Sequence, residues 1–73
     1  MLKIKDNVDL KKLEKFGFGY REDTGKWSWN YSLFEYIFIC SWNRKIEMES
    51  LCGKAGSVLI DLYEANLVEK VEG

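Results

Sequence analysis

From Trp27 to Trp42 the chain reads WSWNYSLFEYIFICSW, with aromatic residues at every second position over Trp27, Trp29 and Tyr31 and again over Tyr36 and Phe38. A period of two belongs to extended strands, whose side chains alternate between faces, whereas an amphipathic helix recurs every three or four residues. This stretch is therefore read as the heart of an antiparallel sheet. Such a sheet must bury its aromatic face or present it to something else.

The chain has 73 residues, enough for one small α+β domain over 1–73. A domain of this size buries only about 60% of the surface its unfolded form exposes, so it needs a dense apolar core, oligomerisation, disulfides or a metal. Two cysteines and no histidine make a structural metal site implausible, and Cys40 and Cys52 are read as reduced thiols. No cofactor is expected. The opening MLKIKDNVDLKKLEK carries charge every few residues and lacks the apolar run of a signal peptide or a membrane span, which points to a cytoplasmic protein without membrane contact. On that reading the glycosylation-like Asn30-Tyr31-Ser32 is a chance match.

Strand and helix signals can be placed along the chain. Leu2 and Ile4 alternate with lysines as in a short edge strand. Asn7 or Asp9 can N-cap a helix with Val8, Leu10, Leu13 and Phe16 on its apolar side. Gly17 would stop it in the left-handed conformation, with Phe18 folding back on Leu13. Glu22 to Gly25 reads as a turn setting Tyr20 opposite Trp27, Phe18 opposite Trp29 and Phe16 opposite Tyr31. Tyr36 to Ser41 reads as a central strand, Trp42-Asn43 as a turn, and Arg44 to Ser50 as the last strand of an antiparallel meander of about four. Ser57 can N-cap a C-terminal helix that Asn66 stops, with Leu67 folding back on Leu62 and Leu67 to Val71 forming a short final strand. A helix continuing to Val71 is the alternative, since Ile60, Tyr63, Leu67 and Val71 share a face.

Face parity decides what the aromatics can do. In these registers Trp27, Trp29 and Tyr31 lie on one face of the first hairpin, and Ile37, Ile39, Ile46 and Met48 lie on the other face of the second. A bulge or odd-length loop between Ser32 and Glu35 would swap that relation.

Motifs for chemistry are weak. Without histidine the Ser-His and Cys-His systems are absent, and Glu47 and Glu49 alternate on a strand face expected to be wet, so no enzyme is predicted. Gly53-Lys54-Ala55-Gly56-Ser57 looks like a phosphate cradle but lacks the G-x-x-x-x-G-K-[ST] spacing. Gly17-Phe18-Gly19-Tyr20 resembles the centre of the RNP1 motif of RNA-recognition domains, yet Phe16, Arg21 and Asp23 depart from it at both ends. Leu59 to Val71 resembles the recognition-helix-to-wing passage of winged-helix proteins, but Asp61 and Glu64 stand where phosphate contacts would need cations. More widely, the order VDLKKLEKFGF, an aromatic meander and a helix into NLVEKV resembles small uncharacterised proteins of Gram-positive bacteria and their prophages. That resemblance implies an intracellular accessory role and brings no catalytic residues.

The function expected from the residues is a non-enzymatic interaction module. Trp27, Trp29, Tyr31, Tyr36 and Phe38 are its candidate surface, and an unidentified protein or a second copy in a homodimer is its partner. The alternative is single-stranded nucleic-acid binding, with the same aromatics stacking on bases and Lys11, Lys12, Lys15, Arg21, Lys26, Arg44 and Lys45 meeting phosphates. A net charge of −1 disfavours it.

Overall fold

The computed structural model describes residues 1–71. In chain order its elements are β1 (Leu2–Ile4), a 3-10 helix (Leu10–Phe16), β2 (Gly19–Arg21), β3 (Lys26–Ser32), β4 (Glu35–Cys40), β5 (Ile46–Ser50), α1 (Lys54–Glu64) and β6 (Val68–Lys70). Strands β2 to β5 form an antiparallel meander in sequence order, and β1 pairs with β6 in a second, two-stranded sheet. The α+β class and the four-stranded meander agree with the sequence reading. The second sheet is an addition to it, built from the two apolar-alternating ends.

The N-terminal helix takes a tighter form than its periodicity suggested. Asp9 caps it by accepting the Lys11 amide, and the seven residues that follow wind as a 3-10 helix with Leu13 buried. Gly17 stops it at φ 92°, where a left-handed backbone disfavours any residue with a Cβ. The Gly17 amide bonds to the Glu14 carbonyl and the Phe18 amide to the Leu13 carbonyl, the paired bonds of a Schellman stop. The same grammar closes α1: Asn66 sits at φ 62°, its amide on the Tyr63 carbonyl and the Leu67 amide on the Leu62 carbonyl. The chain then leaves as β6, so the uninterrupted helix to Val71 does not form.

The first hairpin turns through Glu22 to Gly25, with Gly25 at φ 68° and Tyr20 opposite Trp27 as its turn chemistry predicts. Because β2 begins only at Gly19, the expected pairs Phe18 with Trp29 and Phe16 with Tyr31 are absent. Both phenylalanines belong to the helix and its stop, and Phe18 is buried in the core.

A register shift between Asn30 and Ser32 sets the parity of the whole sheet. Ser32 pairs with Glu35, but Asn30 pairs with Tyr36, which leaves Tyr31 as the extra residue. Trp29 then lies opposite Ile37 and Trp27 opposite Ile39, with Met48 and Ile46 continuing the same rows on β5. Directly paired residues share a face, so both tryptophans and the four aliphatic chains line one inner face.

That inner face is covered. Leu13, Phe18, Ala55, Leu62, Leu67, Val68, Ile4 and Val8 meet Trp27, Ile37, Ile39 and Ile46 in one cluster, with Trp29 and Met48 packed against it. The 3-10 helix, α1 and the β1/β6 ribbon therefore all lie on one side of the meander. Arg44 joins the ribbon to the sheet: its guanidinium donates to the Lys5 and Val8 carbonyls, and its own carbonyl accepts the Ile4 amide.

Candidate interaction surface

The outer face of the meander follows from the same pairing. Arg21 pairs with Lys26, Lys26 with Cys40, Ser28 with Phe38, Asn30 with Tyr36, Phe38 with Glu47 and Tyr36 with Glu49. Cys40 apart, none of these side chains is buried, and none belongs to the core cluster. Tyr36 and Phe38 stack on this face, ring centroids 4.8 Å apart and planes 25° from parallel. Beside them Arg21, Thr24, Lys26, Ser28 and Phe38 line a shallow cleft of about 300 Å³.

The candidate aromatic set is thus divided. Trp27 is 8% exposed and Trp29 is half-buried against the core, on the inner face. Tyr36 and Phe38 lie on the outer face. Tyr31, the bulged residue, is exposed at the end of β3, with the Lys54 ammonium 4.5 Å above its ring. The expectation that the five form one continuous face is corrected by the one-residue bulge, since each added residue on a strand reverses the side of all that follow.

The cations are dispersed as well. Lys26 pairs with Glu47 at 3.5 Å and lies 5.9 Å from the Phe38 ring. Arg21 pairs with Asp23 at 3.2 Å, and this hydrogen-bonded guanidinium holds the Asp23 carboxyl below its usual range. Arg44 is committed to two carbonyls of the chain. Lys12 and Lys15 line a separate cleft with Phe16, Ala65 and Leu67, between the 3-10 helix and the end of α1.

One polar site escaped the sequence reading. Glu35 is only 2% exposed on the inner face, where it accepts hydrogen bonds from the Ser50 hydroxyl and from the Leu51, Cys52 and Ala55 amides. Burial pushes its carboxyl up. The Ala55 and Cys52 amides, the Ser50 hydroxyl and the Leu51 amide outweigh that effect and bring it to about 2. The Ser50 hydroxyl oxygen also accepts the Gly56 amide, so Glu35 and Ser50 together cap the first turn of α1 from the sheet. This corrects the expected start of that helix: it begins at Lys54, Gly53 is its cap residue without a side-chain bond, and the Ser57 hydroxyl donates to the Gly53 carbonyl. In the cradle-like Gly53 to Ser57 segment the Ala55 amide donates to the protein's own Glu35 carboxylate, the Gly56 amide to the Ser50 hydroxyl oxygen and the Ser57 amide to the Gly53 carbonyl.

Among the described residues no cluster of three or more His, Cys, Asp or Glu could hold a metal ion, and no helix is long and apolar enough to cross a membrane. No protein-family profile matches the chain, and no curated protein or solved structure matches it.

Proposed function

We propose that this protein is a non-enzymatic interaction module that docks another protein surface on the outer face of its meander. The observation that carries the reading is the Tyr36–Phe38 stack, set on the sheet face opposite the core cluster that the described helices and the β1/β6 ribbon build. Aromatic side chains supply large contact area at low entropy cost, and tyrosine is enriched where binding energy concentrates. Lys26, Glu47, Glu49 and Arg21 surround the stack as a mixed-charge rim, the usual surround of a protein contact. Trp27 and Trp29 support this surface from beneath and are not themselves contact residues.

Single-stranded nucleic acid is disfavoured as the occupant. Phosphate binding draws on cations gathered along one groove, whereas Arg21 and Lys26 border the cleft on the outer face and Lys12 and Lys15 border a different one.

The test compares the protein with a Tyr36→Ser/Phe38→Ser variant, each immobilised and exposed to a lysate of the source cells and to purified protein. Both side chains lie outside the core cluster, and the comparison is made with a variant that keeps the parent's circular dichroism spectrum. Loss of specifically retained protein by the variant is the expected result. Equal retention by both, or retention of oligonucleotide in place of protein, overturns the reading.

A further inference from the structure

The outer face is close to square. From β2 to β5 it spans three strand spacings, and from the Lys26 row to the Asn30 row four residues, each about 14 Å. Pairing places its charges on this square. Arg21 stands at one corner, on β2 in the Lys26 row; Glu49 stands at the diagonally opposite corner, on β5 in the Tyr36 row. Lys26 lies next to Arg21 along the first row, and Glu47 lies next to Glu49 along β5. Phe38 stands near the centre.

A two-fold axis in the plane of such a square, running along its other diagonal, exchanges these corners. Arg21 of one copy then faces Glu49 of the second, Lys26 faces Glu47, and the two Phe38 rings meet beside the axis. Each attraction occurs twice because the contact is isologous. The strands of the two copies cross near a right angle, one of the two standard ways in which sheets pack face to face. The intramolecular pairs Lys26–Glu47 and Arg21–Asp23 do not oppose this, since exposed ion pairs contribute little and exchange readily.

We infer that the partner on this face is a second copy of the chain, packed sheet on sheet with Arg21 and Lys26 of each protomer against Glu49 and Glu47 of the other. The inference rests on the docking reading above and names its occupant. The face is smaller than a standard interface, so association is weak and appears only at the high end of the concentration series.

Sedimentation equilibrium under reducing conditions, at low salt and over a concentration series, tests it with two charge-reversed variants. One is Arg21→Glu/Lys26→Glu and the other is Glu47→Lys/Glu49→Lys. Each alone places like charges in contact and is expected to remain monomeric where the parent protein dimerises. Mixed in equal amounts, they present opposite charges at every contact, and a heterodimer at least as tight as the parent is expected. A parent monomeric at every concentration, a parent dimer unaffected by either reversal, or a mixture that stays monomeric overturns the inference. The single reversals Arg21→Glu and Glu49→Arg repeat the test should either double variant lose its native dichroism. Failure here leaves the docking reading standing if the lysate experiment retains a different protein through Tyr36 and Phe38; failure of that reading shows as no dependence on these two residues in either experiment.

Discussion

The Glu35 carboxylate on β4 accepts the Ala55 amide at 2.9 Å, joining residues 20 apart in the chain and tying the sheet to the first turn of α1. With the Cys52 amide at 2.7 Å and the Ser50 hydroxyl at 2.9 Å, it organises the whole connection between β5 and the helix. Hydrogen bonds from this many donors favour the charged form of a buried carboxylate. Its protonation and the order of the 50–56 segment are therefore linked.

The pH dependence follows with a definite sign. The folded-state pKa of Glu35 is about 2, below its ordinary 4.5, so its stabilising contribution is complete above about 4.5 and is lost as pH falls toward 2. Urea unfolding of Glu35→Gln should show a lower midpoint than the parent at neutral pH. The gap should narrow on acidification through that window, because the parent then loses the charge that the variant already lacks.

Gly17 and Gly53 separate backbone strain from steric fit. Both have positive φ, at 92° and 88°, but a Cβ at Gly17 would stand 3.2 Å from the Trp29 ring whereas one at Gly53 meets open space. A Cβ in the left-handed region costs roughly 1–2 kcal/mol by itself. Gly53→Ala should lose about that much in urea denaturation and Gly17→Ala measurably more, with a change in the Trp29 indole resonance only for the latter.

Leu62, on the inward side of α1, is fully buried in the core cluster that contains Ile37 and Ile39 of the sheet. Leu62→Ala should cost about 2–5 kcal/mol through lost burial and the cavity left behind. A domain of this length carries only about 0.05–0.15 kcal/mol of stability per residue, so calorimetry should find a much lower Tm or no cooperative transition. Ile60→Ala, on the exposed side of the same helix, should change stability by less than about 0.5 kcal/mol.

Arg44 occupies a left-handed position, φ 63°, where glycine would be the ordinary choice. Its guanidinium offsets that strain through hydrogen bonds to the Lys5 and Val8 carbonyls. Arg44→Gly should relieve about 1–2 kcal/mol of backbone strain but lose two charge-assisted hydrogen bonds worth about 1.5–3 kcal/mol each. A net destabilisation should appear in urea unfolding, with faster hydrogen exchange at the Ile4 amide.

The two thiols should differ in reactivity. Cys52 is exposed, while Cys40 is buried and burial pushes its thiol up, Lys26 opposing and Glu47 reinforcing that shift. A thiol reagent should modify one cysteine rapidly in the native protein and the second only in denaturant, with mass mapping assigning the fast site to Cys52.

Much of the local structure was legible because local rules govern it. Gly17 and Asn66 mark left-handed stops with Leu13 and Leu62 beneath them, and Gly25 closes the first turn, since each depends on the conformational range of a single residue. The start of α1 was not legible. Its capping groups, Glu35 and Ser50, come from the sheet, and no window along the sequence brings them to Lys54. The candidate surface failed at one residue, Tyr31, whose bulge alternation alone does not reveal.

The sequence by itself determined that this chain makes a small α+β domain around an antiparallel aromatic meander, because period-two patterning and turn residues act over a few positions. Only the tertiary structure decided which aromatics are core and which are surface. That choice was made by packing: the helices and the terminal ribbon cover one side of the sheet, and the Tyr31 bulge lets Trp27 and Trp29 join Ile37 and Ile39 on that side, leaving Tyr36 and Phe38 on the other.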